Sequence, residues 1–260
     1  MINSLWIAKS GMSAQQTQLD VVSHNLANVS TTGFKRNNAV FEDLIYQNLR
    51  QVGANTTEQN QLPTGLHLGL GVRTVATSRN FTQGSLQQSN NNLDVAINGN
   101  GFFGVTMPDG TIGYTRDGSF QLDAQGRLVT SSGLPVANGI TIPPGTTSVS
   151  ISTEGAVSAI VGNNPAPQPL GNLAMSSFIN SAGLEPIGQN LFRESVASGN
   201  PQTGAPNANG MGKTMQGFLE ASNVNVVEEL VMMIQTQRAY EMNSKAISTT
   251  DQMLAKLSQL

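Results

Sequence analysis

The sequence predicts an α+β protein: a discontinuous, coiled-coil-like pair of N- and C-terminal helices brackets an extended linker region and a β-rich domain. Three observations predict it. Apolar residues recur at heptad spacing in the first thirty residues, and they do so again from Val226 to the last residue. Between these ends, short runs of β-formers alternate with Asn-Gly, Asp-Gly and Glu-Gly turn signals.

At the N-terminal end Leu5, Met12, Leu19 and Leu26 stand seven residues apart. Ala8, Val22 and Val29 follow three of them at a three-residue offset, with Gln15 as the polar exception, which is an a/d pattern. A helix over residues 4–28 is about 37 Å long at 1.5 Å per residue. Gly11 weakens it by roughly 0.5–1 kcal/mol relative to alanine. Thr31-Thr32-Gly33 is the expected stop, with Gly33 free to turn left-handed. This segment, 1–33, leads into an extended connector at 34–80, whose stretch 46–65 is polar and without sustained periodicity.

The β-rich domain is expected at 81–204, with no helix of any length. Val95-Ala-Ile97 ends in Asn98-Gly99 and is followed by Phe102-Phe-Gly-Val105. Asp109-Gly110 and Asp117-Gly118 are turn signals beside Ile112, Tyr114 and Phe120, and residues 121–129 repeat the strand–turn–strand rhythm. Glu154-Gly155 between Val149-Ser-Ile151 and Ala156-Val157 is another hairpin candidate. Residues 198–213 read as a Gly/Pro/Asn linker, and a return linker at 205–221 leads to the last helical segment, 222–260. There Asn225 and Glu228 have capping-box spacing, and Glu228 and Glu229 suit the positive end of a helix dipole. Val226, Met233, Tyr240, Ile247 and Leu254 then repeat at seven, as do Met232, Ala239, Ala246, Met253 and Leu260.

Only 11% of residues are charged, against about 25% in ordinary globular chains. Asn (26) and Gln (20) fill much of that gap, so the surface is built to meet other protein surfaces, as in a fibre, an adhesin or a capsid. A net charge of −3 without a Lys/Arg run gives no footprint for nucleic acid. The absence of cysteine excludes thiolate catalysis, disulfides and Cys-based metal sites. Residues 1–10 lack the apolar stretch and cleavage site of a secretory signal, and no segment reaches the ~20 apolar residues of a membrane span. No direct membrane insertion is expected, and these residues alone point to the cytoplasm.

No catalytic, cofactor-binding or metal residue is expected. His24 and His67 lie in different elements, without a ligand-like neighbour. Asp109 and Asp117 each precede glycine and Asp123 stands three before Gly126, so turn chemistry accounts for all three. Gly99-Asn-Gly101-Phe-Phe-Gly104 matches G-x-G-x-x-G, but a strand and a turn follow it where a dinucleotide site needs a helix. No serine stands in a G-x-S-x-G elbow.

The terminal stripes remain to be explained. Either they form an intramolecular hairpin, or they pack against copies of the same chain. In the second case the self-assembly interface comprises Leu5, Met12, Leu19, Val22, Leu26 and Val29 with Val226, Leu230, Met233, Ile234, Tyr240, Ile247, Leu254 and Leu257. Repeating such a heterologous contact without closure builds a helical filament or tube.

Asn25-Leu-Ala-Asn-Val-Ser-Thr-Thr-Gly-Phe-Lys-Arg36 resembles the N-terminal signature of bacterial flagellar rod and hook proteins. Ser222-Asn-Val-Asn-Val-Val-Glu-Glu229 and Gln237-Arg-Ala-Tyr-Glu-Met-Asn-Ser-Lys245 resemble the matching C-terminal one. Asp94-Val-Ala-Ile-Asn-Gly-Asn-Gly-Phe-Phe103 and Tyr114-Thr-Arg-Asp-Gly-Ser-Phe120 resemble the family's β-domain motifs. Signature positions carried over are Asn25, Asn28, Gly33, Phe34, Asn223, Asn225, Gln237, Arg238 and Tyr240. Chain length and the stretch 46–65 resemble the distal-rod branch, whose insertion is associated with a straight, stiff rod; Tyr46, Gln47, Arg50, Pro63 and Gly65 mark it here.

The resemblance implies a non-enzymatic subunit without cofactors, exported through the flagellar export apparatus without a cleaved signal peptide. It implies a hollow helical homopolymer across the periplasm, with the terminal helices lining its channel and a β-rich outer domain. Implied partners are copies of itself, proximal-rod proteins, hook or hook-junction proteins, and the outer-membrane and peptidoglycan ring proteins. A proximal-rod or short hook protein, and a peptidoglycan-acting enzyme, are the alternatives left open at this point.

Overall fold

The computed structural model describes residues 2–52, 64–162 and 166–257, without the side chains of residues 2, 254 and 257. The chain divides into two units. The first comprises Met1–Ala27, Asn37–Ser78 and Asn225–Leu260, and the second Asn28–Arg36 and Arg79–Val224.

In the first unit α1 (Ile2–Ala27) is followed by β1 (Asn37–Asp43), β2 (Tyr46–Arg50), β3 (Leu66–Gly69), β4 (Val72–Arg79) and α2 (Val226–Leu257). The two helices pack against each other. β1 pairs with β4, and β2 pairs antiparallel with β3. The Asn225 side-chain oxygen accepts from the Val227 N–H (3.1 Å), satisfying an orphan donor of the first turn. Its amide donates to the Glu228 carboxylate (3.3 Å), so Glu228 meets the cap's side chain here.

The second unit holds the remaining strands. They are β5 (Leu86–Gln88), β6 (Val95–Asn98), β7 (Phe102–Thr106), β8 (Ile112–Thr115), β9 (Phe120–Leu122), β10 (Leu128–Thr130), β11 (Thr146–Ile151), β12 (Ala156–Val161) and β13 (Gln168–Asn172). After them come β14 (Met175–Ser177), β15 (Glu185–Gly188), β16 (Leu191–Arg193), β17 (Gln202–Gly204), β18 (Lys213–Gln216) and β19 (Phe218–Glu220). A six-stranded sheet runs β15-β16-β8-β7-β14-β17, a three-stranded sheet runs β11-β12-β13, and β9-β10, β6-β18 and β5-β19 form ribbons. The one helical turn among the described residues of this unit is the 3-10 turn Ser181–Gly183.

β7 is covered on both faces because successive side chains on a strand point opposite ways. Phe103 packs with Val95, Ile97, Phe120, Leu173 and Met175 in the larger core. Its neighbour Phe102 enters an aromatic cluster with Tyr114, Phe178 and Phe192, joined edge-to-face at centroid distances such as 4.8 Å for Tyr114–Phe178.

The structure departs from the sequence reading in three places. α1 ends at Ala27, and Asn28 supplies the turn that follows by accepting from the Thr31 N–H (3.2 Å) and hydroxyl (3.2 Å). Gly33 is left-handed (φ 68°) but lies beyond the helix end, so it serves a different purpose, described below. The stretch 205–221, read as a return linker, contains β18 and β19. Asn207 (φ 63°), Asn209 (φ 52°) and Gly210 (φ 76°) turn the chain tightly, and β18 returns antiparallel onto β6, with Thr214 opposite Ile97. The polar flank of 46–65 is likewise structured: Tyr46, Gln47 and Arg50 lie on β2, facing β3. Pro63 falls outside the described residues.

Candidate functional site

In the first unit most of the residues expected to form the self-assembly interface lie on the two packed helices. Val22 is buried on α1, while Leu5, Met12, Leu19 and Leu26 are half-buried, as are Met233 and Ile247 on α2. Val226, Leu230, Ile234 and Tyr240 are exposed. The side chains of Leu254 and Leu257 lie outside the described residues, and Val29 belongs to the second unit. The apolar columns read from the sequence therefore flank the line of closest approach on α2. That line is a polar column at heptad spacing: Glu229 and Thr236 are buried, and Asn243 and Thr250 half-buried. Gly11 faces it, since a Cβ there would stand 3.1 Å from the Asn243 amide nitrogen. The glycine that lowers helix propensity is thus where the two helices approach closely.

Asn25 locks the end of this seam. Its amide donates to the Asn37 carbonyl (2.8 Å) and its side-chain oxygen accepts from the Asn37 N–H (2.9 Å), mimicking a strand partner for β1. The same amide donates to Glu229 Oε2 (3.3 Å), inside the protein. Asn25→Ala removes all of these bonds; we expect a loss of about 1–3 kcal/mol, read as a lower urea midpoint in far-UV circular dichroism, and an unchanged midpoint contradicts the clamp.

Of the insertion residues, Tyr46, Gln47 and Arg50 are exposed on β2, and Gln47 accepts from the Asn3 amide (3.2 Å). Gly65 packs so closely that a Cβ would stand 2.7 Å from the Arg50 carbonyl oxygen.

In the second unit the rest of the N-terminal signature is anchored where the chain enters and leaves the β-rich body. The Lys35 ammonium donates to Glu220 Oε1 (2.6 Å) and to the Thr82 carbonyl (2.8 Å). Arg116 Nη1 donates to Glu220 Oε2 (3.2 Å) and Nη2 to the Gly99 carbonyl (2.8 Å), and the guanidinium lies 5.3 Å from the Phe102 ring centroid. The Gly84 N–H also donates to Glu220 Oε1 (2.9 Å). Lys35 and Glu220 have fully buried side chains. Burial pushes the Lys35 pKa down, against the attraction of Glu220, and does the same to Arg116.

Asn223 closes the anchor. Its side-chain oxygen accepts from the Arg36 N–H (2.7 Å), and its amide donates to the carbonyls of Asn80 (2.9 Å) and Thr82 (3.0 Å). The Gly33 N–H donates to the Glu220 carbonyl (2.8 Å). Phe34 is buried beside these groups in sequence. The structure thus brings Gly33 and Asn223 into one anchor, places Asn25 and Asn225 in the first unit, and leaves Gln237, Arg238 and Tyr240 exposed on α2.

Sequence reasoning missed Glu220, Arg116 and Lys35 as a cluster. The available signal was that Lys35 and Arg116 stand inside the family motifs of a chain with few charges to spare. Among the described residues no group of acidic, His or Cys side chains is arranged to hold a metal, and no helix is long and apolar enough to cross a membrane.

Two long terminal helices with apolar residues exposed along them in one unit, and a β-rich body built around a buried ion cluster in the other, define a structural subunit. Three family profiles match: "Flagella basal body rod protein" at residues 5–35, "Flagellar hook protein FlgE/F/G D1 domain" at 96–159 and "Flagellar basal body rod FlgEFG protein C-terminal" at 215–260. The chain is 56% identical to the flagellar basal-body rod protein FlgG of Buchnera aphidicola subsp. Acyrthosiphon pisum, over the whole of both chains. It is 48% identical to FlgG of Borreliella burgdorferi and 40% to FlgG of Bacillus subtilis, each over all of this chain and 99% of the relative. The chain belongs to the flagellar basal-body rod protein family and is a structural subunit of the flagellar rod.

Proposed function

We propose that the chain is the distal-rod subunit, polymerising through its terminal helices into a hollow helical tube that transmits torque from motor to hook and serves as an export channel. The observation that carries this reading is the apolar surface left uncovered on α2, where Val226, Val227, Leu230, Val231 and Ile234 are exposed within the first three turns. At about 25 cal/mol per Å², covering it with further copies supplies a driving force for assembly. In this reading 1–33 and 222–260 form the polymerisation core, 46–65 stiffens the tube, and the β-rich unit faces the ring proteins. The chain passes through the flagellar export apparatus without a cleaved signal peptide, joins proximal-rod proteins below and hook or hook-junction proteins above, and catalyses no reaction.

Electron microscopy of basal bodies from a strain lacking the gene tests it. Rods that stop short of the outer ring and carry no hook, restored by the wild-type gene, are the expected result. Complete rods with altered hooks would move the chain further along the axis.

A further inference from the structure

We infer that neighbouring copies of this chain meet where a short apolar patch on the far side of α2 enters a groove between α1 and the β1–β4 ribbon of the next copy. The inference rests on the reading of the chain as a polymerising rod subunit and names which surface meets which.

The patch follows from helix geometry. Glu229, Thr236, Asn243 and Ile247 share the α1-facing side of α2, as their burial records. At 100° per residue, Val227, Leu230, Val231 and Ile234 fall on the opposite side at i, i+3, i+4 and i+7. They are 68%, 43%, 48% and 50% exposed. The same line continues as Arg238, Glu241 and Lys245, so the apolar patch stops after about two turns, roughly 10 Å. It points away from α1, and the chain therefore does not fill its own groove with it.

The groove has a matching size and chemistry. It encloses about 550 Å³ between Trp6 and Ala14 on α1, Leu44 just beyond β1 and Val72 on β4. Gly71 (φ 123°) lets the chain pass close to Ser10 on the groove's lining: a Cβ there would overlap Ser10 Oγ, and that hydroxyl accepts from the Val72 N–H (3.3 Å). Trp6 is 61% exposed and supplies the aromatic anchor typical of interface centres. At the rim Arg73 is engaged by Glu42 (3.1 Å), whereas Lys9 lies over the Trp6 ring (5.0 Å) and leaves the mouth positive. The patch is bounded by Glu228 at its N-terminal edge and by Arg238 at its C-terminal edge, so it is the N-terminal edge whose charge complements the Lys9 side of the mouth. A patch and a groove on different sides of one subunit make a heterologous contact, which continues into a helical array without closing.

The chain has no cysteine, so introduced ones report without interference. Ser13, exposed on the groove wall, and Val231, on the patch, are replaced in separate copies, Ser13→Cys and Val231→Cys, and both are made in one cell. Basal bodies are isolated and treated with a mild oxidant. A reducible dimer containing one copy of each variant, absent when either is made alone, is expected. Rods that assemble without the mixed dimer, or in which Val231→Cys pairs with itself, overturn the contact while leaving the rod reading intact. A chain that never enters basal bodies overturns the rod reading itself.

As a second measurement, Ile234→Lys keeps the isolated chain's melting midpoint and lowers incorporation into rods by about tenfold or more. Wild-type incorporation overturns the proposal.

Discussion

Glu220→Gln lowers folding stability by about 3–5 kcal/mol, whereas Lys35→Met lowers it by only about 1–2 kcal/mol. The asymmetry comes from counting charges. The anchor buries two cations, Lys35 and Arg116, around one carboxylate. Removing the carboxylate leaves both cations in the interior without an anion, while removing Lys35 leaves a neutral Arg116–Glu220 pair that still accepts from the Gly84 N–H. Urea unfolding of the three chains by circular dichroism measures the order, and equal losses would refute this account.

The pH dependence has a definite sign. The folded Lys35 pKa is lowered below its ordinary 10.5, so between the lowered value and 10.5 the unfolded chain binds more protons. The wild type therefore gains stability from this residue as pH rises through that window. Lys35→Met lacks the gain.

Gly33→Val is expected to be nearly as damaging, with a loss of about 3 kcal/mol or more. A left-handed φ of 68° alone costs a side-chain-bearing residue about 1–2 kcal/mol. The new Cβ also stands 2.7 Å from the Arg116 carbonyl carbon and the Asp117 nitrogen. That backbone has little room to move: Arg116 is held by Glu220, and the Asp117 carboxylate accepts from the Thr32 hydroxyl (3.0 Å) and the Ser119 N–H (3.0 Å). Gly11→Ala is the contrast, because its Cβ meets only the end of the Asn243 side chain, and alanine's higher helix propensity offsets the crowding. A thermal melt of the two variants distinguishes them, and similar midpoints would contradict the steric argument.

The helices, the hairpins and the α+β class were legible because periodicity is a local property. Leu5 to Leu26 announces a helix whatever packs on it, and Asp109-Gly110 announces the β7–β8 turn from its own backbone preference. The return stretch was misread because glycine and asparagine mark a loop and a tight left-handed turn between strands equally well. Only the pairing of β18 with β6 separates the two.

The seam was half legible. Its apolar columns were visible, but the line of closest approach on α2 runs through Glu229, Thr236 and Asn243, which a search for hydrophobic residues passes over. Glu229 lies in the interior because Asn25 meets it from 204 positions away in the chain.

By itself the sequence determined the class of elements, their order, the motifs that identify the family and the low charge suited to a surface facing other subunits. The tertiary structure alone decided which polar groups are interior: Lys35, Arg116 and Glu220 come from three distant segments and form a cluster only when those segments meet. It also decided which side of α2 stays uncovered. The physical reason is the same in both cases. Hydrogen-bond propensity and hydrophobic period are written residue by residue, whereas desolvation of a charge and exposure of an apolar face depend on what the rest of the chain places beside them.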